Sequence, residues 1–302
     1  LHGSFTLLGF IVCFLIIVMH FLPGVLVNGF IVVVNMVDFV KQRQMAPLDL
    51  LLSCLAISRI TLHMLIFLVY LVLHCFKKES VLVTLNVIFM FVHVWKIWLA
   101  TWLGVFYCAK ITTIPYSLCF WLKRRISKLV PWLILGSTLY ASISAGIYEK
   151  HAWIMSQKYL GNFFTTNVTQ TKGIGIGPLY ILIFHLTVPL IIFLIAVLLL
   201  IFSLGRHIQQ VTTLTMGTTD TYRGTPMRAL LSILSFLILY FSHYIMVILI
   251  FFQLFQSRSL FFEFCTLMAG IYPSIHSVIL ILGNPKLKQN AKKFLLCGQC
   301  GQ

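Results

Sequence analysis

The sequence predicts an all-α membrane protein, a bundle of seven transmembrane helices with the N-terminus outside and the C-terminus in the cytoplasm. Three observations predict it. Hydrophobic residues make up 60% of the 302-residue chain and charged residues only 9%, whereas a soluble domain carries about 25% charged residues; mean hydropathy is +1.00. Seven segments, near 8–36, 48–74, 84–108, 129–147, 179–204, 229–252 and 261–283, are long and apolar enough to span. A span takes about 20 residues, because the hydrocarbon core is about 30 Å thick and a helix rises about 1.5 Å per residue. Finally, fourteen Lys and Arg fall in the segments assigned to the inside and six in those assigned outside, as the positive-inside rule requires. No linker, repeat or low-complexity block divides the chain, so residues 1–302 read as one domain.

The first span is too long for a signal peptide and lacks both a basic leader and a small-residue cleavage site before Asn28-Gly29. The second carries Arg59 near mid-membrane. A cation there costs at least about 2.5 kcal/mol unless it finds partners, so Arg59 is expected to face the interior in a structural or switch network. Asn28 in span one and His276 and Ser277 in span seven are its expected partners. In the third span, Phe89, His93, Lys96, Ala100 and Leu103 share one face by their spacing. His93 and Lys96 are costly against lipid, so this face is expected to line a wet ligand pocket or to pair internally, for instance with Glu263. Trp95, Trp98 and Trp102 form a second stripe, read as packing or lipid contact. Pro189 interrupts span five and Pro273 span seven, where neighbouring helices can absorb a kink.

The longest outer loop, 148–178, holds Asn167-Val168-Thr169, the single glycosylation sequon, and its placement supports the topology. The inner loop 205–228, rich in Thr with Gly217, Gly224 and Pro226, reads as a mobile connection. The net charge of +16 is a topology signal and an anchor for anionic lipid rather than a nucleic-acid surface. Eight cysteines are scattered without zinc-site spacing, so no metal is expected; Cys297 and Cys300 in the tail are candidates for palmitoylation.

No catalytic constellation, cofactor motif or phosphate loop is present, and there are only six acidic residues, so the chain is not read as an enzyme and no cofactor is expected. None of the six lies deep in a span, which argues against a proton relay. A small-solute transporter or channel remains the alternative, without the repeated half that many transporters show.

Several strings together resemble the type 2, or bitter, taste receptor family. They are Asn28-Gly29-Phe30, "LDLLLSCLAISR" ending at Arg59, "WLATWLGVFYCAK" from Trp98 to Lys110, "LLLIFSLGRH" ending at His207, and "HSVILILGNPKLK" from His276 to Lys288. Rhodopsin-type signatures are missing. Span three ends "FYCAK" rather than in an acid-Arg-aromatic triplet, and loop 148–178 has no cysteine for a disulfide to helix 3. The resemblance implies a G-protein-coupled receptor of the plasma membrane that detects bitter small molecules and activates a heterotrimeric G protein with a gustducin-type alpha subunit. It implies that Phe89 and His93 line the pocket and that Tyr240, within "LILYFSHY", is the switch beneath it. It further implies that Asn28 and Arg59 join spans one and two, and that Tyr107, Lys110 and His207 stand at the G-protein cleft. The chain departs from the family in span three. A tryptophan is common where Phe89 stands and an asparagine where His93 stands, and Lys96 adds a cation. The cationic lining is expected to favour neutral or anionic ligands over amines.

Overall fold

The computed structural model describes residues 2–72, 79–111, 117–164, 176–214, 234–235, 237–245 and 260–299, with side chains over most of 18–69, 80–111, 120–149, 183–206, 234–245 and 271–296. Apart from residues 43–46 and 284 the described residues are helical, and no strand occurs among them. In chain order the helices are α1 (His2–Gln42), α2 (Pro47–Leu71), α3 (Glu79–Ile111), α4 (Ser117–Phe164) and α5 (Ile176–Leu214). A short piece at 237–245 is α6, followed by α7 (Leu260–Gly283) and α8 (Pro285–Gln299). Among the described residues five helices are long and apolar enough to cross a membrane, and Ile271–Gly283 is a shorter apolar stretch.

The helices outrun the spans read from the sequence. Segment 148–178 does not begin as a loop, because α4 continues to Phe164, and α5 continues through 205–214. Hydropathy marks the thickness of the hydrocarbon, while a helix ends only where its backbone hydrogen bonds do. The end of α1 shows such a stop. Arg43 takes a left-handed φ of 53° while its N–H still donates to the Phe39 carbonyl at 2.8 Å. Pro47 then opens α2 at a position where its missing N–H costs nothing.

Helix α3 is central. It packs on α2, α4 and α5, while α7 packs on α1 and α2. Lipid tails are as apolar as leucine, so close van der Waals contact, small residues and polar bonds must hold such helices together. The sequence supplies them. Gly104 on α3 lies so near the Phe193 ring on α5 that a Cβ there would stand 2.0 Å from it. Gly24 on α1 meets the His63 ring of α2 in the same way, at 2.3 Å. Ala100, Ala141 and Ala145 are buried, whereas Leu26, Val33, Leu139, Leu198 and Phe202 are exposed apolar surface that water would penalise and lipid would not.

The tryptophan stripe is packing. Trp98 stacks on Trp102 with centroids 5.4 Å apart and meets Tyr140 of α4 edge-on at 5.5 Å. Trp102 Nε1 donates to Ser137 Oγ at 2.8 Å, which satisfies the indole inside the bundle.

At the junction of α7 and α8, Asn284 caps the new helix. Its Oδ1 accepts the Lys286 N–H at 3.0 Å, and Pro285 occupies the first helical position. The Lys286 ammonium then reaches Asp38 of α1 at 2.7 Å and Asp49 of α2 at 2.8 Å, and also donates to Asn35 Oδ1 at 3.2 Å. Burial alone would lower the Lys286 ammonium, but the hydrogen bonds and charges of Asp38 and Asp49 outweigh it and hold it above the ordinary lysine value of 10.5. A raised lysine contributes its stability fully below the unfolded value and loses it as pH climbs through the folded one. The anchor is therefore intact at neutral pH and is released only in strong alkali. These side chains are partly exposed, so the expected cost of Lys286→Met is at most about 1 kcal/mol. Amide exchange across α8 should accelerate by up to about fivefold, while the transmembrane amides are unchanged.

Candidate functional site

The middle of α2 places Arg59 inside the bundle, where it is 2% exposed. The partners expected of it are assembled there. Arg59 Nη1 donates to Ser277 Oγ at 2.6 Å, and Nη2 bonds His276 Nδ1. The Ser277 hydroxyl shares its hydrogen between Asn28 Oδ1 at 2.7 Å and the Pro273 carbonyl at 2.8 Å. That carbonyl belongs to the proline turn of α7, so the same turn is braced by Ser277. Asn28 Nδ2 returns to the Gly24 carbonyl at 2.7 Å. Asn28 therefore meets Arg59 through Ser277, and the network joins α1, α2 and α7.

A cleft opens beside it, lined by Arg59, Lys96, Ile97, Ala100, Tyr240, His243 and Tyr272, with room for about one water-sized group. The expected face of α3 runs past this cleft, which Ala100 also lines. Lys96 enters the cleft, whereas Phe89 and His93 lie toward the N-terminal end of α3 and stack on each other, centroids 5.7 Å apart. His93 also faces the His243 ring at 5.6 Å. His243 stacks on Tyr272 at 5.0 Å, and Tyr272 on His276 at 6.3 Å. A run of rings thus leads from Phe89 to the Arg59 network. Tyr240 is buried and stacks on Phe193 of α5 at 6.1 Å.

Toward the other end of α3, Tyr107 is half-buried against Phe106, and the exposed Lys110 ammonium lies over the Phe106 ring at 5.7 Å. His207 lies on α5 and Glu263 on α7, but both side chains fall outside the described ones; Asn167, Cys297 and Cys300 likewise carry no described side chain.

Sequence reasoning missed two polar contacts. Tyr140 of α4 bonds His185 Nδ1 of α5 at 2.8 Å, and Thr187 of α5 bonds the Tyr244 hydroxyl of α6 at 3.1 Å. The signal for both was available, since Thr187, His185 and Tyr244 are polar groups in apolar segments that need internal partners. The sequence did not say which helix would supply them.

The model of the taste receptor protein family (TAS2R) matches residues 6–299, nearly the whole chain. The chain belongs to this family. It is 52% identical to taste receptor type 2 member 1 of Pan troglodytes over 294 residues, covering 97% of this chain and 98% of that protein. It is 47% identical to taste receptor type 2 member 119 of Mus musculus over 287 residues, 95% of this chain and 85% of that one. Taste receptor type 2 member 8 of Gorilla gorilla gorilla is 31% identical over 291 residues, 92% of this chain and 93% of that protein. As a TAS2R member the chain is a multi-pass membrane receptor and not an enzyme.

Proposed function

We propose that this chain is a bitter-sensing G-protein-coupled receptor of the plasma membrane. It has a single domain of seven spans, N-terminus outside and C-terminus inside, and couples to a heterotrimer with a gustducin-type alpha subunit. The observation that carries the proposal is the buried Arg59–His276–Ser277–Asn28 network beside a cleft that Lys96 and Tyr240 also line. A costly buried cation on α2 that bonds α7, and through Ser277 reaches α1, is a contact at which two arrangements of the bundle would differ in energy.

In this mechanism a bitter molecule binds at the Phe89–His93 end of α3, with Lys96 and Glu263 contributing charge. It works only through its differential affinity for two arrangements of the bundle. The rings from His93 through His243 and Tyr272 to His276 connect that end to Arg59. Movement of Tyr240 against Phe193 shifts α6 relative to α5. The inner end then opens to the alpha subunit, with Tyr107, Lys110 and His207 at the cleft. Asn167 carries a glycan in the outer loop.

Agonist-stimulated nucleotide exchange tests the coupling. Membranes containing the chain should accelerate exchange on a gustducin-type heterotrimer when a bitter agonist is added, and leave an unrelated heterotrimer unaffected. No acceleration with any agonist refutes it. Ligand choice gives a separate expectation. Lys96→Glu reverses the charge of the lining, so cationic agonists should gain about tenfold or more in potency relative to anionic ones. An unchanged ligand ranking in Lys96→Glu would sink that assignment.

A further inference from the structure

Two cations line one small cleft. Lys96 is 4% exposed, and its ammonium has no hydrogen-bond partner among the described residues. Arg59 spends its two terminal nitrogens on Ser277 and His276, but its Nε has no partner there either. Both side chains line the same cleft, with no carboxylate among the lining residues. No described carboxylate offsets them: Asp38 and Asp49 are held by Lys286, and Glu149 is exposed on α4. Like charges in a low-dielectric interior are strongly unfavourable unless a counter-charge lies between them.

We infer that the cleft between α2 and α3 is a binding site for one small monovalent anion, held by the Lys96 ammonium and Arg59 Nε. Its size sets the chemistry. Room for about one water-sized group matches a halide or a single oxygen of a carboxylate and falls short of phosphate and sulfate. Ile97 and Ala100 give it an apolar floor, and Tyr240, His243 and Tyr272 wall it from the other side. Such an anion ties α3 to the network that already joins α1, α2 and α7, so it stabilises the arrangement described here. The inference stands apart from G-protein coupling, because its readout is the stability of the receptor alone.

The anion comes either from dissolved chloride or from the carboxylate of a bound molecule, and one experiment separates them. The full chain, purified in neutral detergent, is unfolded thermally in chloride, acetate or methanesulfonate at equal ionic strength, methanesulfonate being too bulky for the cleft. Chloride is expected to raise the midpoint by about 3–8 °C over methanesulfonate at saturation. Acetate matching chloride would show that the site accepts a carboxylate; acetate matching methanesulfonate would assign it to halide. Lys96→Gln should abolish the dependence. If Lys96→Gln does not fold, saturation of the chloride effect in the wild type still decides, because a general salt effect does not saturate. Equal midpoints in all three salts overturn the inference, as does a chloride effect that survives in Lys96→Gln. A chloride dependence that emerges only in Glu263→Gln also overturns it, by showing that this carboxylate already neutralises the cleft.

Discussion

Arg59→Ala is expected to produce the largest loss of any single substitution in this chain. The substitution removes the side chain that joins Ser277 and His276 of α7 to α2. It leaves a fully buried serine and histidine to find new partners where water is scarce. Hydrogen bonds to charged groups contribute about 1.5–3 kcal/mol each, and partial relaxation brings the expected net loss to roughly 2–4 kcal/mol, a large share of a stability of about 5–15 kcal/mol. Surface staining in cells should fall several-fold, and the unfolding midpoint in detergent should drop. Arg59→Lys keeps the charge but not the fork that reaches two partners at once, so it should fold better than the alanine variant. If the contact is remade during activation, Arg59→Lys will also alter basal signalling at equal surface expression. Normal surface level and midpoint in Arg59→Ala would contradict the assignment of this network as the centre of the bundle.

Gly104→Val is expected to come second. Even the first carbon of a side chain at position 104 stands 2.0 Å from one Phe193 ring carbon and 2.4 Å from the next. The Phe193 ring is fully buried and stacked on Tyr240, so it cannot swing into open space. Overpacking of this kind costs about 1–3 kcal/mol, and the branched valine belongs at the upper end. Because Phe193 backs Tyr240, signalling should fall further than surface expression does. Combining Gly104→Val with Phe193→Ala should restore part of the lost midpoint, the two changes being non-additive because they share one contact. Strict additivity would show that Gly104 matters for some reason other than the approach of α3 to α5.

How much of this could be read in advance followed the cost of each error. A mid-membrane arginine is so expensive alone that the sequence all but names its partners, and His276 and Ser277 are found there; only the indirect route to Asn28 needed coordinates. The face of α3 was legible from spacing, but the partners it meets were not. Lys96 and Ala100 line the cleft, while His93 stacks on Phe89 and meets the His243 ring at a tilt beside it, because the rotation of α3 against α6 is set by packing rather than by period. Close approaches such as Gly24 with His63 leave almost no trace, since a glycine in an apolar run can serve many purposes. Helix ends were misread for a different reason. Residues 148–164 lie outside the apolar pattern yet contain no proline, so the helix continues past the presumed membrane edge. The Lys286 anchor was hidden because its two aspartates lie on α1 and α2, more than two hundred residues away in sequence.

Conversion of bitter-molecule binding into G-protein activation is what this chain is proposed to do. It is tested most directly by calcium responses in cultured cells that express the chain with a gustducin-tailed alpha-subunit chimera, challenged with a broad panel of bitter compounds and stained for surface receptor. A compound-selective response that requires the chimera is expected. Silence to every compound despite strong surface staining, or an ion flux that persists in cells without the G protein, would contradict it.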